Sequence, residues 1–280
     1  MMANLNVPLD KYLTKEEVQV KCKAAFYTEP TNANLSSKYV HVNTETVLDD
    51  LEKLGWKPVD AKMRTGRLGT KSRFSPHIVV FRNPDLKIKG ENGDDAYPQI
   101  ILFNSHDGFS SFKFLLGIYR VVCSNGLVVA DQEFSNFKIR HIGYSFEELR
   151  TVVNEAVKDL PERVEVMNKM KKREMTQEEK FKLALDALLI RSGIKPGSKE
   201  AKKKDYDQET LDDLLEPRRD ADKHDDLWTV FNVVQEKITN GGFSAALKGA
   251  KVRKVKKIKS FESDIRINQE LFKLATNIVN

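Results

Sequence analysis

The chain has 280 residues, of which 40% are hydrophobic and 31% are charged, and its formal net charge is +6. This composition is typical of a soluble globular protein with one large or two ordinary domains, and it excludes a disordered chain. No apolar run approaches the roughly 18 residues that a membrane span requires, so we expect no membrane partner.

The net charge is concentrated near the C-terminus. Residues 236–280 contain ten Lys and Arg against four Asp and Glu, so the other 235 residues are neutral overall. Such an asymmetry indicates a localised contact with a polyanion, because a uniformly basic surface would spread the excess along the whole chain.

The first half of the chain predicts two short helices and then a series of strands. Thr14 and Glu17 form a capping box that opens a helix with Cys22 on its apolar face, and a second helix runs from about Thr44 to Leu54. Because few residues separate most of the strands, we expect hairpins and an antiparallel sheet. Segments rich in Val, Ile, Phe and Tyr predict these strands over 56–64, 77–83, 98–105, 110–123 and 126–134.

From Ser145 onward the hydrophobic period becomes that of helices. Capping boxes at Ser145 and Thr176 each open a helix, and Pro161 falls inside the first of them. Residues 195–206 contain five lysines together with Pro, Gly and Ser, and we interpret them as an exposed linker. Two further helices are predicted over 227–238 and 264–279.

The order of these elements predicts an α+β fold with two regions. The first, residues 1–144, is an antiparallel sheet region with two N-terminal helices. The second, residues 145–280, is helical and contains the linker at 195–206 and a basic segment at 248–259.

The segment around Cys123 has two interpretations. Cys22 and Cys123 are the only cysteines, too few for a disulfide framework, which fits a reducing cytoplasmic setting. A nucleophilic Cys123 would need a lowered pKa and a His base. A hairpin explains the same residues, because Asn125-Gly126 is the dipeptide that a type I′ turn requires and buried thiols serve as small apolar side chains. We favour the hairpin, with Asn125-Gly126 at its tip and Cys123 buried.

The string Arg120-Val-Val-Cys-Ser-Asn-Gly-Leu127 resembles the hallmark of a family of phage, prophage and plasmid proteins described as a domain of unknown function. Further segments agree with that family: NSHDG at 104–108, LWTVFNVVQEKITNGG at 227–242 and IRINQELFKLA at 265–275. The resemblance covers roughly residues 40–280. It implies a mobile-element origin and a bacterial cytoplasmic setting, and it implies no activity and no catalytic residue.

Candidate residues for chemistry lie near the predicted strand ends. An enzyme acting on nucleic acid or nucleotides would use His106, Asp107, Cys123 and His141. A metal site would require His77, His106 and His141 to converge, and their spacing does not show that they do. Asp107 with the following glycine is also an ordinary turn. Because no recognisable catalytic or phosphate-loop motif is present, we expect no metal and no cofactor.

The basic segment, Lys248–Lys259, carries the strongest functional pattern. Seven of its twelve residues are basic and none is acidic. Val252, Val255 and Ile258 recur at every third position, which predicts that an apolar edge packs while the cations face outward. Each cation that meets a phosphate releases counterions, which gives affinity without sequence selectivity. The cations are Lys248, Lys251, Arg253, Lys254, Lys256, Lys257 and Lys259.

A second basic stretch surrounds Gly66 and Gly69 and offers a secondary phosphate contact. Its cations are Arg64, Arg67, Lys71 and Arg73. For both stretches the alternative is a solvated run of charge with no partner.

Together these patterns favour a non-catalytic nucleic-acid-binding protein of a bacteriophage or mobile element that acts in DNA replication, recombination or protection. Aromatic residues in and beside the sheet are candidates to stack the bases of a single strand, and equally candidates for the core, where strand alternation places at least half of them: Phe109, Phe112, Phe114, Tyr119, Phe134 and Phe137. Two alternatives stay open, namely the enzyme described above and an interaction protein that inhibits a host defence system. Whether the chain forms a homo-oligomer is also open.

Overall fold

The chain forms two compact units, unit 1 (Met1–Leu160) and unit 2 (Pro161–Asn280). The computed structural model describes residues 11–29, 41–63, 74–87, 96–106, 112–120, 125–128 and 145–279. Unit 1 contains an antiparallel sheet and unit 2 is largely helical, which confirms the α+β class. Among the residues in these ranges, no helix has both the length and the apolar character that crossing a membrane requires.

Unit 1 is built on a five-stranded sheet in which every strand pairs with its neighbour in sequence. The strand order is β1-β2-β3-β4-β5 and all four pairings are antiparallel, as the short connections predict. The strands are β1 (Lys57–Met63), β2 (His77–Arg82), β3 (Ala96–Asn104), β4 (Lys113–Arg120) and β5 (Asn125–Val128). The helices are α1 (Lys15–Lys21), α2 (Thr44–Lys53) and the first part of α3 (Phe146–Lys172).

The core of unit 1 lies between one face of the sheet and these three helices. Cross-strand side chains such as Val79 and Leu102 pack there with Leu51 of α2 and Leu149 of α3. Burying each such side chain stabilises the unit by about 1.5–3 kcal/mol. Cys22 is fully buried in the same cluster, which confirms that it is a core residue. Burial raises the pKa of its thiol to about 12, so it has no thiolate character at neutral pH.

The β4–β5 hairpin is present, but the predicted turn is wrong. Arg120 pairs with Asn125, and Tyr119 pairs with Gly126. Asn125 and Gly126 are therefore the first residues of β5 and not the tip, and residues 121–124 connect the strands. The Asn125-Gly126 dipeptide by itself favours a two-residue turn. The pairing of β4 with β5 instead leaves four residues between the strands. Cys123 falls in that connection, outside the described residues, so its burial stays a prediction.

Unit 2 is organised around one helix that is buried on all sides. Of the fourteen residues of α6 (Leu227–Asn240), thirteen are buried, because α4, α5 and α7 surround it. Its neighbours are α4 (Gln177–Arg191), α5 (Gln208–Leu215) and α7 (Phe261–Val279). Two short strands, β6 (Ser244–Ala245) and β7 (Arg253–Lys254), pair antiparallel. The sequence patterns predicted α4, α6 and α7 but missed α5 and the two-stranded ladder.

The lysine-rich stretch at 195–206 belongs to unit 2. Four of its five lysines are exposed, as expected. The stretch is nevertheless packed on the unit, because Ala201 is buried against Leu189 and Ile194. Tyr206 forms a β-bridge with Leu247. These contacts make it an ordered connection between α4 and α5, in contrast to the linker interpretation.

The start of α4 provides a test of the capping-box prediction, which the structure confirms. Glu179 N donates to Thr176 Oγ1 at 3.3 Å, and Thr176 N donates to the Glu179 carboxylate at 2.8 Å. The Thr176 N–H also holds the pKa of Glu179 below its ordinary value.

We expect Thr176→Ala to lower the free energy of unfolding by about 1 kcal/mol. In urea titrations Thr176→Ser, which keeps the hydroxyl, should stay near the parent, and equal stabilities for the two variants would contradict the assignment.

Candidate nucleic-acid interface

The basic segment begins with a turn at residues 248–250 and continues as a stretch of backbone fixed to the end of α6. Val255 N donates to the carbonyl of Phe243 at 2.8 Å, and Gly242 N donates to the carbonyl of Val255 at 2.9 Å. Ile258 N donates to the carbonyl of Thr239 at 2.9 Å, which satisfies one of the carbonyls that a helix leaves open at its last turn. Together with the β6–β7 pairing, these bonds give the segment a defined path along the surface of unit 2.

All seven cations of the basic segment are exposed. Val255 and Ile258 are half-buried, as the three-residue apolar pattern predicts. Val252 does not follow the pattern, since it is 57% exposed. Val252 lies before β7, and the backbone hydrogen bonds that hold the segment to the end of α6 fall on Val255 and Ile258 instead. The cations are thus exposed along the length of the segment, which has a partly apolar underside at Val255 and Ile258.

Four of the seven cations form no ion pair with any residue in the described ranges, namely Lys251, Arg253, Lys254 and Lys256. Lys248 does form one: its Nζ lies 2.7 Å from the carboxylate of Asp205, and this hydrogen bond raises the pKa of Lys248. Because both of these side chains are exposed, the pair is weak and a phosphate can replace the carboxylate.

A buried carboxylic acid lies shortly after the basic segment, in the first turn of α7. Asp264 is only 4% exposed, and burial raises its pKa to about 7, although nearby Lys257 opposes this shift. Asn268 Nδ2 donates to its carboxylate at 3.2 Å. At neutral pH this group is therefore only partly ionised and offsets little of the positive charge beside it.

The other predicted nucleic-acid contacts have different outcomes. Phe112 and Phe114 are buried in the core of unit 1, which agrees with the core alternative and excludes them as stacking residues. Tyr119 lies in β4 opposite Tyr97. Phe109, Phe134 and Phe137 fall outside the described residues. So do the cations of the secondary contact, Arg64, Arg67, Lys71 and Arg73, and that contact stays a prediction.

A cluster of three histidines lies in unit 1, near one end of the sheet. The His77 and His106 rings are stacked with centroids 5.0 Å apart, and His41 lies 4.5 Å from His106 on the same measure. Two members of the conditional metal site, His77 and His106, do lie together, and the third ring beside them is His41, 65 positions from His106 in the chain, which was not part of that set. Asp107, Cys123 and His141, the remaining members of the proposed chemical group, lie outside the described residues.

Hydrogen bonds occupy at least five of the six ring nitrogens of this cluster, including both of those in His77. His77 Nε2 lies 2.8 Å from Thr44 Oγ1 and its Nδ1 lies 3.0 Å from the carbonyl oxygen of Ser75. The Nδ1 atoms of His106 and His41 are 3.3 Å apart, so one donates to the other. No three His, Cys, Asp or Glu side chains in the described part of the chain are arranged to hold a metal ion.

The electrostatics of His106 favour a structural role. Burial, together with the smaller effects of the neighbouring His77 and His41 rings, lowers the pKa of His106 to about 3. A general acid or base works best when its pKa is near the operating pH. His106 is fully buried and stays neutral at neutral pH, so the geometry gives no support to the catalytic alternative.

Comparisons with known proteins identify relatives along nearly the whole chain. A family model described as "Domain of unknown function (DUF932)" matches residues 33–272. The chain is similar to the UPF0380 protein YfjQ of Escherichia coli (strain K12), with 27% identity over 283 residues that cover 99% of this chain and 95% of that protein. It is also similar to the UPF0380 protein YafZ of the same strain, with 28% identity over 281 residues, 98% of this chain and 93% of that protein. No solved structure matches the chain.

Proposed function

Because the chain belongs to the family described as Domain of unknown function (DUF932), which supplies no activity to transfer, we propose from its own geometry that it binds nucleic acid through the basic segment. In this proposal the protein is not a catalyst. It neutralises the phosphates of DNA in the replication, recombination or protection of a bacteriophage or related mobile element. The mobile-element setting rests on the resemblance of the 120–127 string.

The observation that carries the proposal is that seven exposed cations lie on one segment whose backbone is fixed. A run of charge that is only solvated needs no fixed backbone. Here, at least three backbone hydrogen bonds hold the path of the segment. Four of the cations form no ion pair with described residues and are available to phosphates. Phosphate contacts of this kind provide affinity that is independent of base sequence.

A salt titration of the unmodified protein tests the proposal. Fluorescence anisotropy with labelled single-stranded DNA, double-stranded DNA and RNA, each in two unrelated sequences, would be measured over a series of salt concentrations. Four to seven phosphate contacts predict that log affinity falls against log salt with a slope of about 3 to 6. Binding should differ little between sequences of one type.

The same titration separates the remaining alternatives. If no oligonucleotide binds at low salt, the nucleic-acid proposal is wrong, and the interaction-protein alternative gains support. If binding occurs with a slope near zero, the contacts are not phosphate contacts and the basic segment is not the site.

A further inference from the structure

Gly241 ends α6, and the backbone of the basic segment passes directly over it. Its φ is +69°, in the left-handed region that favours glycine. A Cβ atom at this position would lie 2.5 Å from the carbonyl oxygen of Val255 and 2.6 Å from the carbonyl carbon of Lys256. Both distances are shorter than real Cβ contacts. Only a glycine at position 241 therefore allows the basic segment to approach the end of α6 this closely.

Arg191, the last residue of α4, fixes the same stretch from another direction. Its Nη1 donates to the carbonyl of Ile238 in the last turn of α6, and its Nη2 donates to the carbonyl of Lys256 in the basic segment. One guanidinium thus joins the helix end to the segment. Burial lowers the pKa of Arg191 from its ordinary value, in keeping with a structural position between elements. The planar fork reaches two acceptors at once, which a lysine ammonium on a single stem does not.

We propose that Arg191 and Gly241 are positioning residues, which hold the basic segment in its binding conformation before nucleic acid arrives. The inference rests on the proposed function and adds a property to it: the phosphate contacts form a fixed array and not a flexible tail. An array that is already ordered loses little conformational freedom on binding. Ordering even one backbone residue at the moment of binding lowers affinity by about tenfold.

Two variants and two matched controls test this inference. Gly241→Ala introduces the collision with the basic segment, and Gly193→Ala is its control, because Gly193 has φ +75° with nothing within 4 Å of a Cβ. Arg191→Lys keeps the charge but loses the fork. Arg266→Lys is the control for that change, because Arg266 donates to the carbonyl of Ile190 and pairs with Glu270, both outside the basic segment.

The expected result separates positioning from contact. Gly241→Ala and Arg191→Lys should each bind a labelled DNA duplex about tenfold more weakly than the parent at fixed salt. Their salt slopes should match the parent, because all seven cations remain. Amide hydrogen exchange of Val255 and Ile258 should accelerate in these two variants and not in the controls, because those amides hold the segment to α6.

Three outcomes would overturn the inference. A folded Gly241→Ala or Arg191→Lys protein that binds like its control would show that positioning is irrelevant, while the proposed function would stand. A fall in the salt slope would mean that phosphate contacts themselves were lost. If the unmodified protein binds no oligonucleotide, the proposed function fails first and the inference falls with it. Should Gly241→Ala not fold, Arg191→Lys decides.

Discussion

Replacing Arg253, Lys254, Lys256 and Lys257 with Gln will flatten the slope of log affinity against log salt by about three units. Each lost phosphate contact removes roughly 0.7 to 0.9 from that slope, and four contacts are removed together. All four side chains are exposed, so the melting temperature should change little. The loss should be similar for unrelated sequences, because point charges on phosphates do not distinguish bases.

A control with the same charge change is available in the same unit. Lys195, Lys199, Lys202 and Lys203 are exposed on the connection between α4 and α5. Replacing all four with Gln also lowers the net charge by four. If this control flattens the slope as much as the first variant, net charge and not the basic segment governs binding. If the first variant keeps the parent slope, the segment is only a solvated surface.

The sheet of unit 1 could be predicted because its signals are local and repeated. Runs of Val, Ile and Phe predicted all five strands, and the short connections predicted antiparallel pairing. The exact register could not be predicted from the Asn125-Gly126 dipeptide. The register of β4 is set by its pairing with both neighbouring strands: Tyr119 pairs with Tyr97 of β3 and with Gly126 of β5. This pairing across the sheet outweighs the preference of the Asn125-Gly126 dipeptide for a two-residue turn.

The basic segment could be found from composition alone, but the parts that hold it could not. Its cations are adjacent in the chain, so their concentration is visible in the sequence. The Arg191 guanidinium contacts a carbonyl 65 positions away, and nothing local distinguishes this arginine from one at an ordinary helix end. A glycine pair after a helical pattern is an ordinary signal of a helix end, but the close approach of Val255 to Gly241 depends on the returning chain.

The histidine cluster shows the same limit and leads to a second large prediction. Lowering the pH from 6.5 to about 3 will reduce the free energy of unfolding of unit 1 by up to about 5 kcal/mol through His106 alone. In the folded chain His106 stays neutral down to a pKa of about 3, whereas in the unfolded chain it gains a proton near pH 6.5. Between these two pKa values the unfolded state binds more protons than the folded state. The free energy of unfolding therefore decreases as the pH is lowered. Above pH 6.5 the contribution of His106 is fully present.

Fluorescence of Trp56 reports on unit 1 if the other tryptophan, Trp228, is replaced by Phe. Trp228 stacks on Phe231, and its Nε1 has no hydrogen-bond partner among the described residues, so Phe keeps its main contact. Urea unfolding of this parent would then be measured at several pH values between 4 and 6. Removing the titrating group by His106→Asn should make the dependence of unfolding free energy on pH shallower by about 1.4 kcal/mol per pH unit.

The comparison between slopes isolates the histidine cluster, because groups remote from it titrate in the same range and contribute equally to parent and variant. His224→Asn is the matched control, since that histidine is exposed on unit 2 and should leave the slope for unit 1 unchanged. An equal slope in the His106→Asn protein and its parent would mean that His106 is protonated in the folded state. In that case the stacked arrangement with His77 and His41 would carry a charge, and the structural role assigned to the cluster would be wrong.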